Sequence, residues 1–278
     1  MRRERIAEEI YVFTSDLYAQ VTAGVILTEE GAIVIDTLPF PQETAELKAF
    51  IDRHNRQGAR YVINTHHHAD HVYGNYLFPE AELLAHERCR RIMLRQGQRG
   101  LDEAKAQTPA LAEVRLCIPE VVFDRGELIV HLGGKSLHLV LTPGHTIDSI
   151  SVLVKEDKVL FAADTVMPVP YIVFGDLETM VDSLRQLGGM AIDTIVQGHG
   201  EVLLRGELSG AIETDIRYLE IIWQRVRSAV EAGAPKEALR RVDIEECGKS
   251  RIPLNGLVQQ LHLANLMHLY ERISAQSA

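Results

Sequence analysis

The chain has 278 residues, with 29 Lys plus Arg against 39 Asp plus Glu, a formal charge of −10 and 46% hydrophobic residues; these are the proportions of a globular protein with a sizeable core. No apolar run approaches the roughly 18 to 20 residues that cross a bilayer, and Met1-Arg2-Arg3-Glu4-Arg5 leads to Glu8 and Glu9 rather than to an apolar signal core, so a cytoplasmic protein without a membrane partner is expected. The acidic balance argues against nucleic acid, which needs a Lys/Arg face to displace counterions, and Cys89, Cys117 and Cys247 lack the paired spacing of a thiolate zinc site or a disulfide framework.

From the N-terminus, Tyr11 to Thr14, Tyr18 to Leu27 and Ala32 to Asp36 read as strands, with Glu29-Glu30-Gly31 turning between the last two. Pro41 opens a helix through Leu47, Phe50 and Ile51, and Tyr61 to Ile63 is a buried strand. Arg88 to Arg115 reads as charged helix broken at Gly97, Gly100 and Pro109. The period then changes to two through Val121 to Phe123, Glu127 to His131, Ser136 to Leu141, Ser149 to Val154 and Lys158 to Ala163. A helix from Leu177 to Leu187 leads to a strand from Ile192 to Val196. Beyond Gly206 only helical spacing remains, first through Ile212, Ile216, Leu219, Ile222, Trp223, Val226 and Val230, then in a last helix carrying Leu254, Leu257, Val258, Leu261 and Leu266. Two batches of strands, each followed by helices, predict an α/β catalytic unit over 1–205 and a helical extension over 206–278 packed on it.

Twelve His are present, and five stand in tight contexts at predicted strand ends. In His66-His67-His68-Ala69-Asp70-His71, an extended backbone points His66 and His68 the same way, while His67 points away. Asp70 and His71 follow where the chain must turn. Imidazoles with a carboxylate suit zinc or iron. Further candidates close later strands: His145 in Thr142-Pro143-Gly144-His145-Thr146, Asp164 after Val159 to Ala163, and His199 between Gly198 and Gly200. Glycine beside a ligand lets the backbone approach closely. His54, His86, His131, His138, His262 and His268 have no companion at ligand spacing and read as ordinary hydrogen-bonding residues.

These segments, with Val34-Ile35-Asp36-Thr37, resemble the metallo-β-lactamase fold superfamily over about residues 8–205, with a metal motif set like that of glyoxalase II. The resemblance implies a four-layer αβ/βα sandwich with a dinuclear site at one sheet edge. It assigns His66, His68 and His145 to one metal, Asp70, His71 and His199 to the other, and Asp164 between them. Two zinc ions are expected, with iron or manganese as alternatives. Asp70 is the candidate catalytic proton carrier, and Asp36 either fixes an imidazole from behind or is a plain turn residue.

The expected reaction is cleavage of a small carbonyl substrate, an ester, lactone, thioester or β-lactam, by a metal-bridged hydroxide. The apolar loop from Val166 to Phe174 starts beside Asp164, so Met167, Tyr171 and Phe174 are candidate substrate contacts, joined by Tyr73 and Tyr76 beyond the histidine motif. Resistance β-lactamases differ in carrying a secretory signal and, in several, Cys where Asp164 stands. The glutathione-binding motif of glyoxalase II has no placed counterpart here. Two alternatives stay open: a persulfide dioxygenase using mononuclear iron, and a binding module without activity. Homodimerisation through the C-terminal helices is a further expectation.

Overall fold

A computed structural model describes residues 1–277. The first sheet runs β1 (Arg2–Ala7), β2 (Ile10–Thr14), β3 (Thr22–Thr28), β4 (Gly31–Ile35), β5 (Ala59–Ile63), β6 (Glu82–His86) and β7 (Val121–Phe123), paired in that order. Strands β1 to β4 are antiparallel neighbours, and β4 to β7 are parallel. Between them lie α1 (Pro41–His54), α2 (Ala69–Val72), α3 (Glu87–Ile92) and α4 (Gln98–Gln107). The second sheet has β8 (Glu127–Leu132), β9 (Lys135–Leu141), β10 (Ile150–Val154), β11 (Val159–Ala163), β12 (Thr194–Gln197) and β13 (Val202–Leu204), in the order β13-β12-β11-β10-β9-β8. The remaining helices are α5 (Leu177–Gly188), α6 (Leu208–Glu231) and α7 (Val258–Ser277).

The inner face of the first sheet, with Ile10, Val12, Ile26, Ile33, Ile35 and Ile63, packs on Leu137, Leu139, Val152, Phe161 and Val196 of the second. Because successive strand residues point to opposite faces, Ala32 and Val34 of β4 turn outward, where they join Leu47, Phe50 and Ile51 of α1. A strand covered on both sides is apolar throughout, which is why Gly31–Ile35 is buried at every position. The outer face of the second sheet, including Leu160 and Ile195, is covered by α5, α6 and α7 in one apolar cluster. The layers are therefore helix, sheet, sheet, helix, the four-layer sandwich the sequence implied. Residues 206–277 supply much of that last layer, from Leu219 and Ile222 to Leu266 and Leu269.

Several boundaries differ from the sequence reading. β1 was not expected because its side chains alternate between charge and solvent at a sheet edge, with no apolar face to betray it. The strand expected from Tyr18 starts only at Thr22, and residues 15–21 form a loop with Ala19 and Gln20 at positive φ (43° and 51°). Gly97 does not interrupt the helix after β6: it sits at φ −59°, ψ −43° and closes a π turn over Met93–Gly97. Leu254 precedes the last helix, with left-handed φ at Leu254 and Asn255 (54° and 55°).

Candidate metal centre

Five of the seven ligand candidates lie on backbone that has left a strand within the preceding five residues, while Asp70 and His71 sit on the short helix α2 that follows. β5 delivers the 64–71 segment, and its register is fixed from both sheets. The Asn64 N–H donates to Leu84 O in β6, and Ile150 N–H, at the start of β10, donates to Thr65 O. β9, β11 and β12 deliver His145, Asp164 and His199 to the same edge. Two glycines are needed by this crowding. A Cβ on Gly198 would meet Asp164 Oδ1 at 1.9 Å, and one on Gly144 (φ +141°) would meet the Met180 backbone of α5 at 2.4 Å.

The ligand atoms form two groups. His66, His68, His145 and Asp164 converge in one, and Asp70, His71 and His199 in the other, each within 4.8 Å. Asp164 touches both. Its Oδ2 lies 3.3 Å from His145 Nε2, 3.9 Å from His66 Nε2 and 3.5 Å from His199 Nε2, while its Oδ1 lies 3.4 Å from His71 Nε2. Asp70 Oδ2 lies 3.3 Å from His199 Nε2 and 3.7 Å from His71 Nε2. Tetrahedral ligands about 2.1 Å from one ion stand about 3.4 Å apart, so these separations fit a shared cation.

The nitrogen chemistry fits as well. His71 Nδ1 meets Asp36 Oδ2 at 2.8 Å, His145 Nδ1 meets Tyr171 O at 2.8 Å and His199 Nδ1 meets Ala19 O at 2.9 Å. Each acceptor fixes the proton on Nδ1 and leaves the Nε2 lone pair for a metal. Thr65 Oγ1 donates to Asp36 Oδ2 and so accepts from His66 Nδ1 at 3.1 Å, which fixes the same tautomer there. His68 differs, because its Nδ1 faces the site, 3.0 Å from His145 Nε2. Among the described residues, His66 Nε2, His71 Nε2 and Asp164 Oδ1 are buried without a hydrogen-bond partner, a state buried polar atoms rarely adopt and one that a cation relieves. The residues therefore fit the metal ions that the ligand set implies.

Burial, helped by the neighbouring His71, holds the His66 imidazole well below its ordinary pKa. His68 is brought to about 3 by burial and by His145, and burial also lowers His145. In the other group burial pushes the same way, but the carboxylates outweigh it. Asp164, Asp70 and Asp36 leave His71 well above the usual range, and Asp164 and Asp70 bring His199 to about 10. Conversely, His71 and His199 overcome the burial cost on Asp70 and, with His145, that on Asp164, so both carboxyls are held low.

A comparison with protein families matches residues 18–199 to the metallo-beta-lactamase superfamily. The chain belongs to the metallo-beta-lactamase superfamily. Among curated relatives, thioesterase pkgB of Emericella nidulans is 30% identical over 184 residues, 64% of this chain and 45% of the relative. A hydroxyacylglutathione hydrolase of Rhodopseudomonas palustris is 29% identical over 177 residues, 63% of this chain and 61% of the relative. This superfamily member thus spans about half the length of the curated relatives it matches. Among solved structures, a metallo-beta-lactamase from Pontibacter korlensis superposes with TM-score 0.62 at 20% identity over 76% of this chain and 97% of its own. The sec-alkylsulfatase Pisa1 from Pseudomonas sp. gives TM-score 0.75 at 15% identity over 97% of this chain and 50% of its own. Both show the superfamily fold.

Beside the ligand candidates lies a cavity of about 520 Å³. Met167, Tyr171 and Phe174 line it, and the Phe174 ring lies 5.0 Å from that of His68. Tyr73 and Tyr76 do not: they pack with Val72, Cys89, Met93 and Leu111 in a separate apolar cluster beside α3 and α4. The helical turn after α2 carries them away from the mouth. Asp36 is buried behind His71, accepting from Thr65 N–H at 2.8 Å as well as from His71 and the Thr65 hydroxyl. Sequence reasoning missed Tyr18, which lines the cavity from the 15–21 loop; the Asp70 charge, burial and Asp164 push its pKa up to about 12. It also missed Leu254, Leu257 and Leu261 as cavity walls. No helix among the described residues is long and apolar enough to cross a membrane.

Proposed function

We propose that the protein is a dinuclear metal-dependent hydrolase of small acyl substrates, with thioesters and esters first among them. The observation that carries this reading is the meeting of two ligand groups at the Asp164 carboxylate, with ligand atoms of both groups buried and unpartnered. His66, His68, His145 and Asp164 would hold one ion and Asp70, His71 and His199 the other, with Asp164 spanning both. Zinc suits the donor set, and iron and manganese accept it too. Such ions supply Lewis acidity, which lowers the pKa of water and polarises an acyl oxygen.

The chain's own groups do the rest. Asp70, one oxygen of which faces His71 and His199, is placed to orient the attacking water and to pass its proton to the leaving group. Tyr18 and Tyr171 both line the cavity and would offer hydroxyl groups to an acyl oxygen on which charge develops. Met167, Phe174, Leu254, Leu257 and Leu261 form an apolar wall for the acyl chain. The names of the relatives, a thioesterase and a hydroxyacylglutathione hydrolase, favour a thioester.

The test is a panel of thioesters, esters, lactones and β-lactams with zinc-loaded protein, run anaerobically and with metal analysis. Two ions per chain and turnover without oxygen are expected, lost on chelation and restored by zinc. Oxygen uptake with a persulfide by iron-loaded protein, and no acyl cleavage by the zinc form, would replace this reading by the dioxygenase one.

A further inference from the structure

We propose that His67, clamped by Asp148, reads the substrate at the cavity mouth and selects acyl groups that carry a hydroxyl or amide N–H near the reacting carbonyl. This rests on the hydrolase reading above. His67 stands between two ligands but belongs to neither ligand group. Its backbone N–H donates to Asp148 Oδ2 at 2.9 Å, and its ring Nδ1 meets Asp148 Oδ1 at 2.9 Å. Asp148 is fully buried, 81 residues further along the chain, on the loop between β9 and β10. An ionised carboxylate only accepts, so a proton sits on Nδ1, and the tautomer this fixes carries its lone pair at Nε2.

What sets that nitrogen apart is its place: His138 also meets a carboxylate through Nδ1 and His54 a carbonyl, with no protein partner at Nε2 among the described residues, but neither ring lines this cavity. His262, a packing residue, uses both ring atoms, Nδ1 with the Tyr218 hydroxyl and Nε2 with Val242 O. His71, His145 and His199 are fixed through Nδ1 and aim Nε2 at the ligand cluster. His67 is fixed in the same way, yet among the described residues its Nε2 has no protein partner. Its ring forms part of the cavity wall and keeps 19% of its surface exposed. The ring centre lies 4.8 Å from that of His68 and 6.4 Å from that of His66. An acceptor so close to the ligand candidates, its tautomer fixed by a buried carboxylate, is matched by a substrate N–H or O–H beside the acyl centre.

The experiment compares 2-hydroxybutanoyl and butanoyl thioesters of one thiol at pH 8.5, each rate divided by that of uncatalysed hydrolysis. Wild-type protein is expected to prefer the hydroxyacyl substrate by about tenfold in kcat/KM. His67→Phe should bring the ratio to within about twofold of unity with bound metal unchanged, and His67→Gln, whose amide oxygen still accepts, should recover part of it. In Asp148→Asn the amide donates to Nδ1, moves the proton to Nε2 and abolishes the preference. Ring ¹⁵N spectra of metal-free protein, assigned by the loss of one signal in His67→Gln, should show Nδ1 protonated in wild type. A wild-type ratio near one with efficient thioester cleavage overturns the proposal alone, as do a ratio retained in His67→Phe or an Nε2-protonated wild-type ring. Wild-type protein that cleaves no acyl substrate overturns it together with the hydrolase reading. If His67→Phe loses metal, the His67→Gln ratio and the ring spectra decide.

Discussion

The quartet of His66, His68, His145 and Asp164 and the trio of Asp70, His71 and His199 share one carboxylate but stand in opposite electrostatic surroundings. In the quartet three imidazoles crowd a single acid, and burial keeps them free of protons. In the trio Asp36, Asp70 and Asp164 surround His71, and His199 faces two of them, so both rings hold protons tightly until a cation displaces them. The contrast shows that similar side chains do not make similar surroundings: the quartet's imidazoles stand free of protons, whereas the trio's would have to exchange protons for a metal.

Removing the shared group should have the largest effect. Asp164→Ala is expected to loosen both ions and reduce kcat/KM by about 10³-fold or more, measured with metal stoichiometry on the same sample. Asp70→Ala should strike the trio alone, losing one ion and about 10² to 10³ in kcat while the quartet keeps its metal. Acid should separate the two halves without mutation. Because the His199 pKa is about 10, metal affinity of the trio should fall by about tenfold per pH unit for each proton displaced between pH 9 and pH 7. The quartet, with His68 at about 3, should change little. Calorimetric titrations that find equal pH slopes for both ions would contradict this division.

Asp36→Asn should weaken the trio's ion by about 10- to 100-fold through misorientation of His71, and the quartet's ion less, through Thr65 and His66. The smallest expected effect lies outside the centre. Asp176 caps α5 through Thr179 N–H at 2.9 Å and pairs with Arg272, and these contacts overcome the burial cost to lower its pKa. A depressed acid contributes stability above its unfolded pKa and loses it as pH falls through the folded one. Asp176→Ala should therefore cost about 1 kcal/mol at neutral pH, with denaturation curves of variant and wild type converging in acid as the Asp176 carboxyl takes up its proton.

The segments that converge at the candidate centre were legible because each is local: a strand, a glycine or a turn, and a histidine or aspartate within a few residues. The four layers were legible in two batches of strands, each with its helices. Tyr18 was not, since it lies in a plain hairpin loop whose place is set from afar. His199 Nδ1 binds Ala19 O, and Gly200 N–H donates to Gln20 O, across about 180 residues of sequence. Tyr73 and Tyr76 misled because closeness in sequence to a ligand says nothing of the side a helical turn will face. β6 was overlooked because five residues between a turn and a helix give the period-two pattern little room.

Asn265 of α7 is fully buried; its side chain accepts from Ile172 N–H at 3.1 Å and donates to Pro170 O at 2.7 Å. Those two residues flank Tyr171, whose carbonyl orients His145 and whose ring lines the cavity. The last helix thus works as a splint on the loop that shapes the pocket. Substrate range can consequently drift through a helix that offers no ligand candidate at all, and exchanging α7 between relatives is expected to retune selectivity together with the set of His145.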